Sequence, residues 1–173
     1  SNLFRRSTMA YRKSLEWSGR SPQFEKRAGF VTMAALAAHD KELRDHDLLP
    51  FLEAAIRESN DGRTYVRKAV NWTVRRIGKR DLALNAFAID AAKRIGAKGD
   101  RGSEWVASSA LRELESAAVR ERGISSTITG IPAEVRCRPN PDLVTPLERT
   151  SWIMAFVSFH RQVLSPSPAF KAR

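Results

Sequence analysis

Residues 65–80 read YVRKAVNWTVRRIGKR. Placed on a helix at about 100° per residue, Val66, Val70, Thr73 and Ile77 fall on one side and make a core-facing stripe. Lys68, Trp72, Arg75 and Lys79 repeat that spacing on the opposite side. Arg67, Asn71, Arg76 and Arg80 fill the flanks, and no acid interrupts the run. A tryptophan among cations on a solvent face suits a nucleic acid: the cations meet phosphates and the flat ring meets a sugar or a base. In a stack of helices the same ring could instead pack against a neighbour, with the cations forming only a solvated face.

The composition narrows the partner. The chain has 173 residues, 30 basic and 19 acidic, for a net charge of +11, and a pI near 10.6. Such a balance points to a polyanion, either DNA, RNA or an acidic membrane surface. No apolar run is long enough to span a bilayer, and SNLFRRSTMAYRK lacks the apolar centre of a secretory signal. The chain begins without Met, so it is expected to be processed, tagged or part of a longer protein. A single cysteine, Cys137, excludes an internal disulfide and a Cys-rich zinc site. His39, His46 and His160 show no metal-ligand spacing and read as surface or cap residues. A cytoplasmic protein without metal or organic cofactor is expected.

Outward from residues 65–80, the pattern is helical throughout. A short helix ends near Gly19. Ser21 and Pro22 announce the next, with Ser21 as cap and Phe24, Ala28, Val31, Ala35 and Ala38 as its inner stripe. Asp45 or Asp47 caps LLPFLEAAIRES, with Pro50 in its first turn. Residues 59–62 (SNDG) form a turn before the central helix, which ends near Gly78. LALNAFAIDAAKRI runs from Leu82 to Ile95, and Ser103 caps EWVASSALRELESAAVRER. Residues 22–121 thus read as five amphipathic helices with short linkers and no strand alternation. The expected fold is all-α, a HEAT-like α-solenoid of antiparallel helix pairs, with a closed bundle as the alternative.

From residue 122 the character changes. Six of the eight prolines (Pro132, Pro139, Pro141, Pro146, Pro166 and Pro168) lie there. We expect a helical domain over residues 1–121 and an irregular basic tail over 122–173, with one helix at 147–164.

The run VRKAVNWTVRRIGKRDLALNAFAIDAAKRI, followed by WVASSALRELES, resembles the C-terminal half of the DNA alkylation repair enzyme family, HEAT-like repeat alkylpurine DNA glycosylases. The core of the resemblance is [VI]-x-K-A-x-x-W-x-[LV]-R, filled here by Val66, Lys68, Ala69, Trp72, Val74 and Arg75. FEKRAGFVTMAAL resembles the family's W-x-R-R-x-A helix, with Phe24 for the tryptophan and Lys26-Arg27 for the arginine pair. Trp17-Ser18 resembles the W-S that precedes it. Agreement covers roughly residues 9–119 and none of the tail.

The resemblance implies a protein that binds double-stranded DNA on a basic concave face and hydrolyses the N-glycosidic bond of N3- or N7-alkylated purines. It implies no cofactor and no metal, and a monomer is expected. Trp72 takes the position of the motif aromatic, and Arg75 that of the arginine after it. Arg27 takes that of a phosphate or active-site contact. With Lys68 and Lys79, these are the candidate DNA-binding residues. Trp105 matches a weaker motif position and reads as a core residue.

The chemistry implied is depurination. An alkylated purine is already cationic, so its glycosidic bond is weak. A carboxylate then steadies an oxocarbenium-like sugar and places a water, while aromatic faces hold the cation. The family's catalytic aspartate lies in a W-x-x-x-D helix that would precede Ser1. Glu16 and Glu25 do not match it, Asp40, Asp45 and Asp47 read as caps, and Asp90 as a solvent-facing or paired residue. No catalytic residue is therefore identified. Two other readings stay open: a HEAT-like module that grips DNA without chemistry, and a solenoid whose basic face meets an acidic protein.

Overall fold

The computed structural model describes residues 9–121, and every regular element among them is an α-helix. Six helices follow in order: α1 (Ala10–Ser18), α2 (Gln23–His39), α3 (Asp45–Glu58), α4 (Thr64–Gly78), α5 (Leu82–Gly96) and α6 (Arg101–Leu114); the helix breaks at 115–116, where the sequence reads as one continuous helix, and the chain is helical again at 117–121. Short loops at 19–22, 40–44, 59–63, 79–81 and 97–100 join them. The helix expected at 147–164 and the Pro-rich tail lie outside the described residues.

Several helix starts differ from the sequence reading. Pro22 (φ −61°, ψ 129°) is itself the residue before α2, and no side chain caps that helix, Ser21 included. Asp47 does cap α3, its carboxylate accepting from the Arg44 N–H at 2.9 Å, while Asp45 is the first helical residue. Pro50 then falls in the second turn, where it leaves one backbone carbonyl without its helical donor. At α6 the cap is Asp100 rather than Ser103. Its carboxylate accepts from the N–H groups of Gly102 and Ser103 at 3.0 and 2.9 Å. Ser103 is buried and donates to the Ser59 hydroxyl at 3.3 Å. His46 is also buried, not a surface residue. Burial pushes its pKa down, and the adjacent Asp47 carboxylate partly opposes that.

The helices alternate between two layers. In the odd layer, the Tyr11 hydroxyl donates to the Asp47 carbonyl at 2.9 Å, and its ring packs on Phe51 at 5.0 Å. Further along, Arg94 grips Glu53 at 2.7 Å, and Lys98 donates to the Arg57 carbonyl at 3.1 Å. Starts therefore meet starts and ends meet ends, so α1, α3 and α5 run parallel. In the even layer, Arg63, just before α4, donates to the Ser21 carbonyl, just before α2, at 2.6 Å. Arg80, just after α4, donates to the Asp40 carbonyl, just after α2, at 2.8 Å. The Asn85 amide donates to the last carbonyls of α4 and α6 together, Gly78 at 3.0 Å and Leu114 at 3.2 Å. So α2, α4 and α6 are parallel too, with α4 between the other two. Each odd helix pairs with the even helix after it, which makes three stacked hairpins: an all-α solenoid rather than a closed bundle.

Close packing between layers uses small residues. A Cβ on Gly29 would lie 2.6 Å from the Ser18 nitrogen and 2.8 Å from the Ser14 carbonyl oxygen, so α2 touches the backbone of α1 there. The core between layers is built on Phe30, Met33, Phe51, Val70, Leu84 and Ile95, all sealed from solvent. This reverses the expected face of α2. Gly29, Phe30, Met33 and Ala37 are buried, whereas Phe24 is 72% exposed and Ala38 is exposed. Alanine and valine are apolar enough for either side, so spacing alone does not separate the stripe through Phe24 and Val31 from the true core stripe.

Candidate nucleic-acid interface

The sequence of α4 divides into a face that anchors and a face that is left over. Val66, Val70, Val74 and Ile77 are fully buried. Thr73 is buried with them, its hydroxyl 2.9 Å from the Phe30 carbonyl of α2 and 3.0 Å from the Ala69 carbonyl of its own helix. It has one hydrogen to give, so the two acceptors share it. On the other flank, the buried Asn71 amide donates to the Val106 carbonyl of α6 at 3.1 Å. Neighbours on both sides thus fix the rotation of α4, and Tyr65, Lys68, Trp72 and Arg76 remain exposed. They follow one another at i, i+3, i+7 and i+11, one continuous stripe.

Trp72 is 38% exposed, so part of its ring surface reaches solvent. The Arg76 guanidinium sits over its ring, 5.7 Å from the centroid, within range of a cation–π contact. Lys68 and Arg76 form no ion pair among the described residues. The sequence reading puts Arg76 on a flank and omits Tyr65, which is 57% exposed. Spacing alone is enough to find both, four residues after Trp72 and seven before it.

Arg75 and Lys79 are placed differently from the expectation. Both reach sideways to α6 and share the Glu113 carboxylate: Lys79 Nζ donates to Oε1 at 2.5 Å, and Arg75 Nη2 pairs with Oε2. Arg75 Nη1 also donates to the Asn71 side-chain oxygen at 3.3 Å. The basic run has no acid within it, but the fold brings one from 34 residues away. Burial works against the charge on Glu113, yet Lys79 and Arg75 outweigh it and hold the carboxyl below its ordinary range.

The arginine-pair position splits into two roles. Lys26 is buried and pairs with Glu58 at 2.5 Å and with Asp61 at 3.4 Å. Arg63 closes the same network on Asp61 at 2.6 Å. That Arg63 contact, ahead of the cost of burial, pulls the Asp61 pKa down to about 2. Lys26 therefore ties the start of α2 to the end of α3. Arg27, the next residue, faces solvent and forms no ion pair among the described residues. No hydrogen bond or ion pair joins Arg27 to α4 among those residues, so it stands on the parallel neighbouring helix.

Trp105 is not a core residue: it is 42% exposed on α6, with the Arg67 guanidinium 5.4 Å from its ring centroid. Two helices of the even layer thus each present a tryptophan with an arginine over it. Among the described residues, no group of three or more His, Cys, Asp or Glu could hold a metal ion, and no helix is long and apolar enough to cross a membrane.

The family model described as DNA alkylation repair enzyme matches residues 2–114, which include α1 to α6. No curated protein and no solved structure matches the chain. The match covers most of the chain, and the protein belongs to the DNA alkylation repair enzyme family.

Proposed function

We propose that the exposed stripe of α4 holds duplex DNA, and that the protein serves the removal of N3- or N7-alkylated purines by hydrolysis of their N-glycosidic bond. The observation that carries this reading is Trp72: a large aromatic left exposed between Lys68 and Arg76, on a helix whose opposite face (Val66, Val70, Thr73 and Ile77) is buried. Lys68 and Arg76 supply charge for phosphates, and the ring supplies a surface for the sugar or base of a displaced nucleotide. Arg27 adds a cation from α2, and Arg75 and Lys79 add two more once released from Glu113. A monomer in the cytoplasm fits this reading.

Cleavage itself needs an ionised carboxylate beside the sugar. Its charge must be free to meet the developing sugar cation. Glu113 does not meet that need, because Arg75 and Lys79 already neutralise it. We assign the described residues the DNA-holding part of the reaction and name no catalytic carboxylate among them. A module that binds without cleaving remains the alternative.

The test has two parts. The chain is titrated against duplex DNA, with Trp72→Ala and Lys68→Gln beside it. The natural full-length protein is then assayed for release of 3-methyladenine or 7-methylguanine. Binding that weakens in both variants, together with base release, supports the reading. Binding without release favours the non-catalytic module, and no binding removes both.

A further inference from the structure

Three charged groups meet where α4 faces α6. Glu113 accepts from Lys79 at 2.5 Å through one oxygen and pairs with Arg75 through the other. Arg75 is further steadied by the Asn71 side-chain oxygen at 3.3 Å, and Asn71 by the Val106 carbonyl. Arg75 Nε is buried and has no acceptor. The guanidinium is thus fixed in direction but not saturated. The cluster is also open to solvent, with 33% of the Arg75 side chain, 25% of Lys79 and 27% of Glu113 exposed.

A carboxylate on a guanidinium and an ammonium occupies the place that two oxygens of a phosphate would take. Both anions cannot use the same donors at once. We propose that Glu113 is a resident anion that competes with the DNA backbone for Arg75 and Lys79, and so sets how weakly the protein holds undamaged duplex. This rests on the reading of α4 as the DNA-holding helix. In the free protein, Glu113 keeps both cations aimed and neutralised. A phosphate gains them only by breaking two ion pairs and leaving a carboxylate nearby. Only DNA pressed firmly onto the Trp72 stripe offsets that loss. Glu113 thus acts against affinity in general and favours contacts that engage the whole face.

The experiment is a titration of a labelled, undamaged duplex at several salt concentrations. Wild type, Glu113→Gln, Glu113→Asp and the Arg75→Gln/Lys79→Gln pair with and without Glu113→Gln are compared, each checked by thermal melting. Glu113→Gln should bind more tightly. Its slope of log K against log salt should steepen by ~0.9 for each cation freed, up to ~1.8. Glu113→Asp keeps the charge but shortens the reach, and should fall between. In the Arg75→Gln/Lys79→Gln background, Glu113→Gln should change nothing. An unchanged slope in Glu113→Gln, or a gain that persists without Arg75 and Lys79, overturns the inference while leaving α4 as the DNA-holding helix. If neither wild type nor Glu113→Gln binds duplex at low salt, that reading falls, and the inference with it.

Discussion

The Arg76 guanidinium lies 5.7 Å from the centroid of the Trp72 ring, one turn along the same exposed stripe of α4. The ring stays 38% exposed beside that positive charge. Stacking one base on such a ring is worth roughly 1–3 kcal/mol. Trp72→Ala should therefore lower duplex affinity by about 5- to 150-fold, while Trp72→Phe keeps much of it. Thermal melting should change little, because the side chain lies outside the core. Fluorescence anisotropy and a melt on the same samples check both halves of the prediction.

Gly29 should tolerate no side chain. A methyl group there meets backbone atoms of Ser14 and Ser18, which cannot swing aside as a flexible side chain could. Gly29→Ala forces α1 and α2 apart and should cost about 1–3 kcal/mol, seen as a lower melting temperature. Gly62→Ala is the matched control, with open space around the new methyl group. It should leave the melt unchanged or raise it slightly.

Asn85 closes two helix ends with one amide. Asn85→Leu leaves the last carbonyls of α4 and α6 without that donor in a buried setting. A loss of about 1–3 kcal/mol is expected for such unsatisfied groups. Hydrogen exchange should report the effect in the last turns of both helices. An effect confined to α5, the helix that carries Asn85, would contradict the bridging role.

Acid stability should depend on Asp61. Its pKa is lowered from 3.8 to about 2, first by the hydrogen bond from Arg63, against the opposing effect of burial. A carboxylate whose pKa falls on folding stabilises the fold while it is ionised. That contribution is complete above its unfolded value near 3.8 and is lost as pH falls through about 2. Asp61→Asn should therefore be less stable than wild type at pH 6, and the gap should close between pH ~4 and ~2. Denaturant melts across that range check the sign.

The helices are legible in the sequence because amphipathic spacing and loop residues agree along residues 9–114. Val66, Val70, Thr73 and Ile77 fall correctly inside because β-branched and apolar residues at that spacing have few other uses. The face of α2 is not legible, because alanine gives no preference and Lys26 reads as polar surface without Glu58 and Asp61 to receive it. Ser103 has the residue type of a cap, whereas Asp100 takes the role three residues earlier. Trp105 sits in an apolar stretch, and nothing in that stretch marks it as exposed. The largest gap is Glu113. A helix periodicity shows which residues share a face but not which side chain a neighbouring helix sends toward it. That is why Arg75 and Lys79 look as free as Lys68 in the sequence.

The central claim is that the Trp72 stripe meets the DNA backbone through Lys68 and Arg76. The most direct measurement is the salt dependence of duplex binding by wild type and by Lys68→Gln/Arg76→Gln. Removing one phosphate-neutralising cation should flatten the slope of log K against log salt by ~0.9, so the double variant should flatten it by ~1.8 while keeping its melting temperature. A slope that stays at the wild-type value would contradict the claim.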